Sequence, residues 1–153
     1  MKQRSVPTQF GNLTLTEEDG AITRLDWTRV GQQDRSSLLD RAAEQLAAYA
    51  AGDLEDFDLP LRVAGTDFQR DVCAAMSAIP FGYTRTYGEI ASQLGKPTAS
   101  RAVGAANGRN PIPLIIPCHR VVGSQGKLTG FAHGLEIKQQ LIEWESRQEN
   151  PKP

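Results

Sequence analysis

Cysteine is scarce in this chain of 153 residues, which contains only Cys73 and Cys118. Two thiols are too few for a disulfide framework or for a zinc site built mainly of thiolates. No uninterrupted apolar run approaches the ~18–20 residues that a membrane-spanning helix needs. The basic N-terminus is followed by no apolar stretch, so it does not resemble a secretory signal. These absences predict a cytoplasmic protein of a reducing compartment, with no membrane partner.

Net charge is also small, because 17 Lys and Arg residues stand against 18 Asp and Glu residues. The charges are unevenly distributed, with 6 basic and 11 acidic side chains in residues 1–60 but 11 and 7 in residues 61–153. Glu89 is the one acid between Gly82 and Gly130, beside 6 basic residues. Such a stretch is typical of a surface that binds a polyanion. It is also typical of an ordinary solvated surface, which charge alone favours.

Apolar periodicity predicts a small mixed unit at the N-terminus. Alternating residues on both sides of Asp19-Gly20 predict a β-hairpin with an Asp-Gly turn. Helical spacing over residues 36–51, with Gly52 just beyond, predicts a helix that stops at this glycine. The acidic residues 53–60 are interpreted as a linker. Residues 1–60 are therefore predicted to be an N-terminal α/β support subdomain with its linker.

The remaining chain, residues 61–153, is predicted to be a mainly helical domain. Capping-box patterns at Thr66 and Thr86 begin two helices, which end near Ile79 and Leu94. A Gly/Pro break separates the second of these from a helix over residues 98–106, and a last helix covers residues 135–147. Two short helices around such a break are the outline of a helix-turn-helix. Residues 112–117 are predicted to be extended. The fold class is α+β.

The helix over residues 98–106 consists mainly of small residues around Arg101. Small side chains allow close approach to a large partner. A slim helix with one arginine suits a narrow DNA groove. Another helix of the same protein would fit equally well, and composition does not decide between the two.

Cys118 lies between a rigid proline and a histidine. A reactive cysteine needs a base or cation nearby, and His119 and Arg120 are candidates for both. Adjacent side chains usually point apart, so contact between Cys118 and His119 would need a tight turn or a bridging water. A carboxylate would orient the base, and the sequence does not choose among Glu136, Glu143, Glu145 and Glu149. A buried structural thiol remains an equal alternative for Cys118, whereas Cys73 is interpreted as packing.

Residues 116–122, IPCHRVV, closely resemble the active-site motif of the O6-alkylguanine-DNA alkyltransferase family. The resemblance covers about residues 63–147 and includes FQRDV at 68–72, IPFG at 79–82, Thr86-Tyr87 and SRAVGAA at 100–106. Asn110-Pro111 and the last helix complete it. The N-terminal part matches only in the order and kind of its elements.

This resemblance implies that the protein repairs DNA by flipping out O6-alkylguanine and moving the alkyl (methyl) group irreversibly to its own cysteine. Cys118 would be the nucleophile, and His119 would deprotonate it through a bridging water. Glu145 would orient His119, and Asn110 would brace the cysteine turn. Tyr87 would support base rotation and donate its proton to the purine. Such a protein needs no cofactor and no metal, and a monomer is expected.

The resemblance also implies binding to the minor groove of double-stranded DNA. Arg101 would enter the base stack and fill the gap left by the flipped nucleotide. The expected DNA-binding residues are Thr98, Ala99, Ser100, Arg101, Ala102 and Gly104. The expected substrate pocket contains Val121, Phe131 and the backbone N–H of Ala132.

The chain departs from the family pattern at four positions. Phe131 stands where many relatives have Tyr, His133 replaces a usual Gly, Trp144 replaces a common His, and Cys73 replaces a frequent Trp. These departures concern substrate range rather than the Cys–His–Glu set.

Two alternative functions remain. A non-catalytic helix-turn-helix protein that binds alkylated DNA would use Cys118 only structurally. Relatives of the alkyltransferase-like kind carry another residue at the cysteine position, so Cys118 speaks against that class. A cysteine hydrolase would turn over an ester or amide, but no oxyanion-hole element is evident.

Overall fold

The computed structural model describes residues 1–129, 131 and 133–149, except for the side chain of Glu149. The chain forms two compact units, Met1–Ala64 and a second unit that begins at Gly65. Within the described residues, no helix is both long and apolar enough to cross a bilayer.

The N-terminal unit contains an antiparallel sheet of three strands in the order β1-β2-β3. The strands are β1 (Lys2–Thr8), β2 (Gly11–Glu18) and β3 (Ala21–Asp26). The predicted hairpin is β2–β3, and both residues of its Asp19-Gly20 turn have positive φ, 51° and 80°. Sequence patterning missed β1, which pairs with β2 as an edge strand. Its Pro7 is tolerated there because an edge strand leaves one side unpaired.

Helix α1 (Ser37–Ala51) covers this sheet and begins and ends as the sequence predicts. The Ser36 side chain accepts a hydrogen bond from the Leu39 N–H, and Gly52 ends the helix in the left-handed conformation. The core between helix and sheet is apolar. Its largest fully buried members are Leu13, Leu15, Ile22, Leu25, Leu39, Leu46 and Tyr49.

The second unit is mainly helical, which confirms the predicted α+β class. Its helices are α2 (Asp67–Ser77), α3 (Tyr87–Gln93), α4 (Ser100–Gly108) and α5 (Leu135–Glu149). Two short strands, β4 (Arg85–Thr86) and β5 (Val121–Val122), pair in parallel. Helices α3 and α4 pack together across the Gly/Pro break, as the helix-turn-helix pattern predicts.

Two local predictions were wrong. The helix predicted to begin at Thr98 begins at Ser100 instead. Ala99, with ψ of 23°, is the residue that precedes its first turn. Residues 112–117 are not extended: Leu114 has φ of 74°, and the Ile116 N–H donates to the Ile112 carbonyl at 2.9 Å. This tight turn buries four aliphatic side chains, which an extended segment beside the surface would expose.

Candidate active site

Cys118 begins a 3-10 turn, Cys118–Arg120, and only 3% of its surface is exposed. Its N–H donates to the Ile116 carbonyl at 2.7 Å. Its own carbonyl accepts from the Val121 N–H and from Asn107 Nδ2, the latter at 3.1 Å. The backbone around the sulfur is therefore fixed by helix α4 as well as by its own turn.

Asn110 braces the segment that leads into this turn. Its Nδ2 donates to the Ile116 carbonyl at 2.9 Å, and its Oδ1 accepts from the Ile112 N–H at 3.0 Å. Both partners lie just before Cys118. These two bonds hold the backbone of the residues that lead into the cysteine turn.

His119 contacts one of the four candidate carboxylates. Its Nε2 lies 2.8 Å from Glu145 Oε2, and both side chains are buried. Glu136 and Glu143 are exposed, and the side chain of Glu149 lies outside the described residues. His119 Nδ1 has no hydrogen-bond partner among the described residues, although it is buried. One ring nitrogen is thus held by the carboxylate, while the other remains available for a proton.

Arg120 also binds Glu145. Its Nε and one terminal nitrogen donate to the two carboxylate oxygens at 2.8 and 3.0 Å, and the other terminal nitrogen donates to the Ile79 carbonyl at 2.8 Å. Burial by itself would raise the pKa of Glu145, but His119 and Arg120 outweigh it and lower this pKa to about 2. The carboxylate is therefore ionised across the physiological range. Sequence reasoning treated Arg120 as a cation near the thiol and missed this pairing.

Lys138 is a second buried cation that sequence reasoning did not assign. Lys138, Leu141 and Glu145 are spaced at helical intervals and form the buried face of α5. Burial lowers the pKa of Lys138 to about 8, and a negative charge on the nearby Cys118 sulfur would act in the opposite direction. A lysine on the apolar face of a helix was the signal that could have identified it.

Burial dominates the titration of the nucleophile itself. It raises the pKa of Cys118 to about 11, while the Asn110 side chain and the charge of Lys138 act in the opposite direction. The sulfur is therefore a thiol at neutral pH. A base must remove its proton when it reacts, which is the task that the His119–Glu145 pair can perform.

Tyr87 lies at the start of α3, close to α4 and to the loop before α5. Its hydroxyl donates to the Thr129 carbonyl at 3.2 Å, and Lys138 Nζ donates to the same oxygen at 2.8 Å. A Cβ added at Gly104 of α4 would lie 3.9 Å from the Tyr87 ring. This is an ordinary van der Waals distance, so α4 lies beside the ring with room for no more than about a methyl group.

An open cleft of about 310 Å³ adjoins Tyr87. It is lined by Thr86, Tyr87, Gly88, Ser100 and Ser124. Ser124 belongs to a second 3-10 turn, Ser124–Gly126, and was not among the predicted site residues. The cleft brings the start of α3 and the start of α4 to one surface.

The predicted DNA-binding residues lie at the N-terminal end of α4. Arg101, Ala102 and Thr98 are exposed, whereas Ala99, Ser100 and Gly104 are half-buried. Helices α1, α2 and α3 each begin with a side-chain cap, but α4 has none at Ala99. Backbone N–H groups at an uncapped helix start can bind phosphate oxygens.

The predicted pocket residues differ from one another in burial. Val121 is fully buried on β5 opposite Arg85, and Phe131 packs edge-on against His133 with ring centroids 5.4 Å apart. Ala132 lies outside the described residues.

Within the described ranges, no group of three or more His, Cys, Asp or Glu residues could hold a metal ion. Cys73 is buried on α2 next to the Gln69 side chain.

Comparisons with known proteins match both units. The model of the 6-O-methylguanine DNA methyltransferase, DNA binding domain, matches residues 67–147. The model of the 6-O-methylguanine DNA methyltransferase, ribonuclease-like domain, matches residues 1–63. A methylated-DNA–protein-cysteine methyltransferase of Methanosarcina barkeri is 62% identical over 148 residues, covering 92% of this chain and 94% of the relative.

Further relatives agree along nearly the whole chain. A protein of the same description from Mycolicibacterium paratuberculosis is 46% identical over 154 residues, covering 96% of this chain and 93% of the relative. The crystal structure of Mycobacterium tuberculosis OGT in complex with DNA superimposes with a TM-score of 0.89 at 44% identity, covering 97% of this chain and 94% of that one. The chain therefore belongs to the 6-O-methylguanine DNA methyltransferase family.

Proposed function

We propose that this protein repairs DNA by transferring the O6-alkyl group of guanine, methyl above all, to its own Cys118. The transfer is irreversible and stoichiometric, so each molecule acts once. Similarity to methylated-DNA–protein-cysteine methyltransferases over more than nine tenths of the chain supports this function. The observation that carries it is the buried set of Cys118, His119 and Glu145. In this set, His119 Nε2 lies 2.8 Å from Glu145 Oε2.

The first step is removal of the thiol proton. His119 Nδ1, the ring nitrogen that does not face Glu145, takes this proton through a bridging water. Glu145 stabilises the imidazolium that results, because a full negative charge lies within hydrogen-bond distance of it. The Cys118 sulfur becomes a thiolate only at that moment, which suits a thiol whose pKa is raised to about 11 by burial.

The second step is a direct displacement at carbon. The thiolate forms an S–C bond as the bond between O6 and the alkyl carbon breaks, and that electron pair stays on the purine. Tyr87 donates its phenol proton to a purine ring nitrogen, so guanine leaves neutral. The proton held by His119 balances the phenolate. No tetrahedral oxyanion forms, so no oxyanion hole is required, and the thioether product is stable.

DNA is held through the surface formed by α3 and α4. We propose that α4 enters the minor groove and that Arg101 occupies the space of the flipped nucleotide. The exposure of Arg101 and the small exposed residues beside it support this docking. Flipping costs a few kcal/mol, and less for a poorly paired alkylated base, so some selectivity precedes the chemistry. The protein is proposed to act as a monomer, and its location in the cytoplasm remains a prediction.

Intact-mass analysis tests the function directly. Wild-type protein incubated with a duplex that contains one O6-methylguanine is expected to gain the mass of one methyl group, mapped to Cys118. Cys118→Ala is expected to remain unmodified. Cys73→Ala is the matched control, because Cys73 is also a free buried thiol and the variant is expected to gain the methyl group normally. A protein that binds the duplex tightly but is never methylated would instead be a binding module for alkylated DNA.

A further inference from the structure

Thr129 is bound to Tyr87 through its side chain as well as its backbone. The Tyr87 hydroxyl donates to the Thr129 carbonyl at 3.2 Å, and the Thr129 hydroxyl in turn donates to the Tyr87 oxygen at 3.3 Å. The proposed reaction makes use of the Tyr87 proton. It assigns no role to the Thr129 hydroxyl.

The methyl branch of Thr129 lies beside Gly123. A Cβ added at Gly123 would lie 3.4 Å from Thr129 Cγ2, so this methyl group packs over the bare backbone of Gly123. Gly123 is itself held, because its N–H donates to the Lys127 carbonyl at 2.7 Å and closes the loop. The methyl group and the hydroxyl of Thr129 thus face different neighbours, Gly123 and Tyr87, so each can be removed without the other.

The Thr129 backbone is anchored independently. Lys138 Nζ donates to its carbonyl at 2.8 Å from the buried face of α5. This bond connects the residue that contacts Tyr87 to the helix that also carries Glu145. A change of the Thr129 side chain leaves the carbonyl and its two donors in place. The hydroxyl can therefore be tested separately from the backbone.

We infer that Thr129 is a positioning residue that orients the Tyr87 phenol for proton donation. This inference rests on the proposed function. When the Tyr87 proton moves to the purine, the bond from Tyr87 to the Thr129 carbonyl is given up, and negative charge develops on the phenol oxygen. The Thr129 O–H still points at that oxygen. A hydrogen bond to a developing anion strengthens as the charge grows, so it favours the transition state over the resting state.

The test is a comparison of Thr129→Val with Thr129→Ser. Valine keeps the branched shape but loses the hydroxyl, whereas serine keeps the hydroxyl but loses the methyl group. Single-turnover methyl transfer from an O6-methylguanine duplex is measured over a range of protein concentrations, which separates the transfer rate from the affinity. We expect Thr129→Val to lower the maximal rate by about 3- to 10-fold at unchanged affinity. Thr129→Ser should stay within about twofold of wild type.

A second measurement reports on the contact without any transfer. The Cζ carbon of Tyr87, labelled with 13C and assigned with Tyr87→Phe, reports hydrogen bonding to the phenol oxygen by NMR. We expect its resonance to move in Thr129→Val and to stay near the wild-type position in Thr129→Ser.

The outcomes separate this inference from the proposed function. If the wild type transfers methyl groups and Thr129→Val reacts equally fast, the positioning role is wrong and the function stands. If Thr129→Ser is as slow as Thr129→Val, packing of the methyl group matters rather than the hydroxyl, and the inference is again wrong. If the wild type itself transfers no methyl group, the proposed function fails and the positioning role falls with it.

Discussion

The two units of this protein bury different kinds of polar groups. In the N-terminal unit, the buried polar side chains are the neutral Ser5, Thr14 and Thr16, and the Ser5 and Thr14 hydroxyls lie 2.8 Å apart. Among its described residues, the second unit also buries the neutral Gln69 and Asn107, but besides its two thiols it buries four acidic or basic side chains, His119, Arg120, Lys138 and Glu145. Ion pairs of the N-terminal unit lie at the surface, as in Arg24 and Asp26.

This difference separates what stabilises the fold from what performs the chemistry. Removing two charges from water costs several kcal/mol per ion, and apolar residues of the same volume are often as stable or more so. A fold alone therefore gains little from the group formed by His119, Arg120 and Glu145. We interpret that group as retained for reaction at Cys118, whereas the N-terminal core follows the ordinary rule of apolar burial.

The largest expected effect comes from removing the negative charge of Glu145, which His119 and Arg120 share. Glu145→Gln leaves the buried Arg120 without its carboxylate, so we expect the free energy of unfolding to fall by about 3 kcal/mol. Loss of the group that stabilises His119 should slow methyl transfer by about 100-fold or more. Binding to the duplex should be nearly unchanged. Urea unfolding and single-turnover transfer measure the two effects.

Glu143→Gln is the matched control for that experiment. Glu143 lies on the same helix but is exposed. Its carboxylate accepts a hydrogen bond from the Gln139 side chain on the helix surface. We expect stability within about 0.5 kcal/mol of wild type and normal transfer. Unchanged transfer in Glu145→Gln would remove Glu145 from the mechanism.

Low pH should destabilise the protein by protonating the Glu145 carboxylate. Its pKa is lowered to about 2 in the folded protein but is about 4.3 in an unfolded chain. The unfolded state therefore binds more protons in this window, and stability falls as pH decreases from about 5 to 2. Linkage gives a loss of about 2 to 3 kcal/mol from this residue. Urea unfolding across this range should show a shallower pH dependence in Glu145→Gln, and an identical slope would contradict the assigned shift.

Arg101→Ala should have an intermediate effect that depends on the substrate. Because the role proposed for Arg101 requires bound DNA, we expect transfer from duplex DNA to slow by about 10-fold while transfer from free O6-benzylguanine is unchanged. Arg109→Ala, which removes an exposed arginine at the other end of α4, provides the control for general loss of charge. Equal losses on both substrates would refute the role of Arg101 in base flipping.

The smallest effect is expected in the N-terminal unit. Arg24→Ala removes an ion pair whose partners are 57% and 32% exposed. Such surface pairs contribute about 0.5 kcal/mol or less, and transfer should be unaffected. Urea unfolding that shows a loss as large as in Glu145→Gln would overturn the contrast between the two units.

The sequence predicted the elements whose signals are local. Helices α1 and α5, the hairpin with Asp19-Gly20 and the capping box at Thr86 each depend on spacing or on a turn within a few residues. Strand β1 was missed because its residues alternate weakly, and its pairing with β2 is a tertiary contact. The positive φ of Leu114 was missed for a similar reason, since burial of the turn outweighs the preference of a leucine.

The candidate site could be predicted as a list of residues, but its electrostatics could not. Cys118, His119 and Glu145 were identified through the motif and the resemblance, and the structure brings the last two together. The pairing of Arg120 with Glu145 joins residues 25 apart in sequence, and the bond from Lys138 to Thr129 joins a helix to the loop before it. Both depend on how α5 packs within the second unit, which no local pattern encodes.

The most direct test of this account replaces the entire charged group at once. His119→Leu, Arg120→Met and Glu145→Leu are combined in one protein, whose free energy of unfolding and methyl transfer are both measured. We expect stability within about 2 kcal/mol of wild type, or higher, together with complete loss of transfer. A protein that fails to fold, or one that still methylates Cys118, would contradict the claim that these buried charges serve the chemistry rather than the fold.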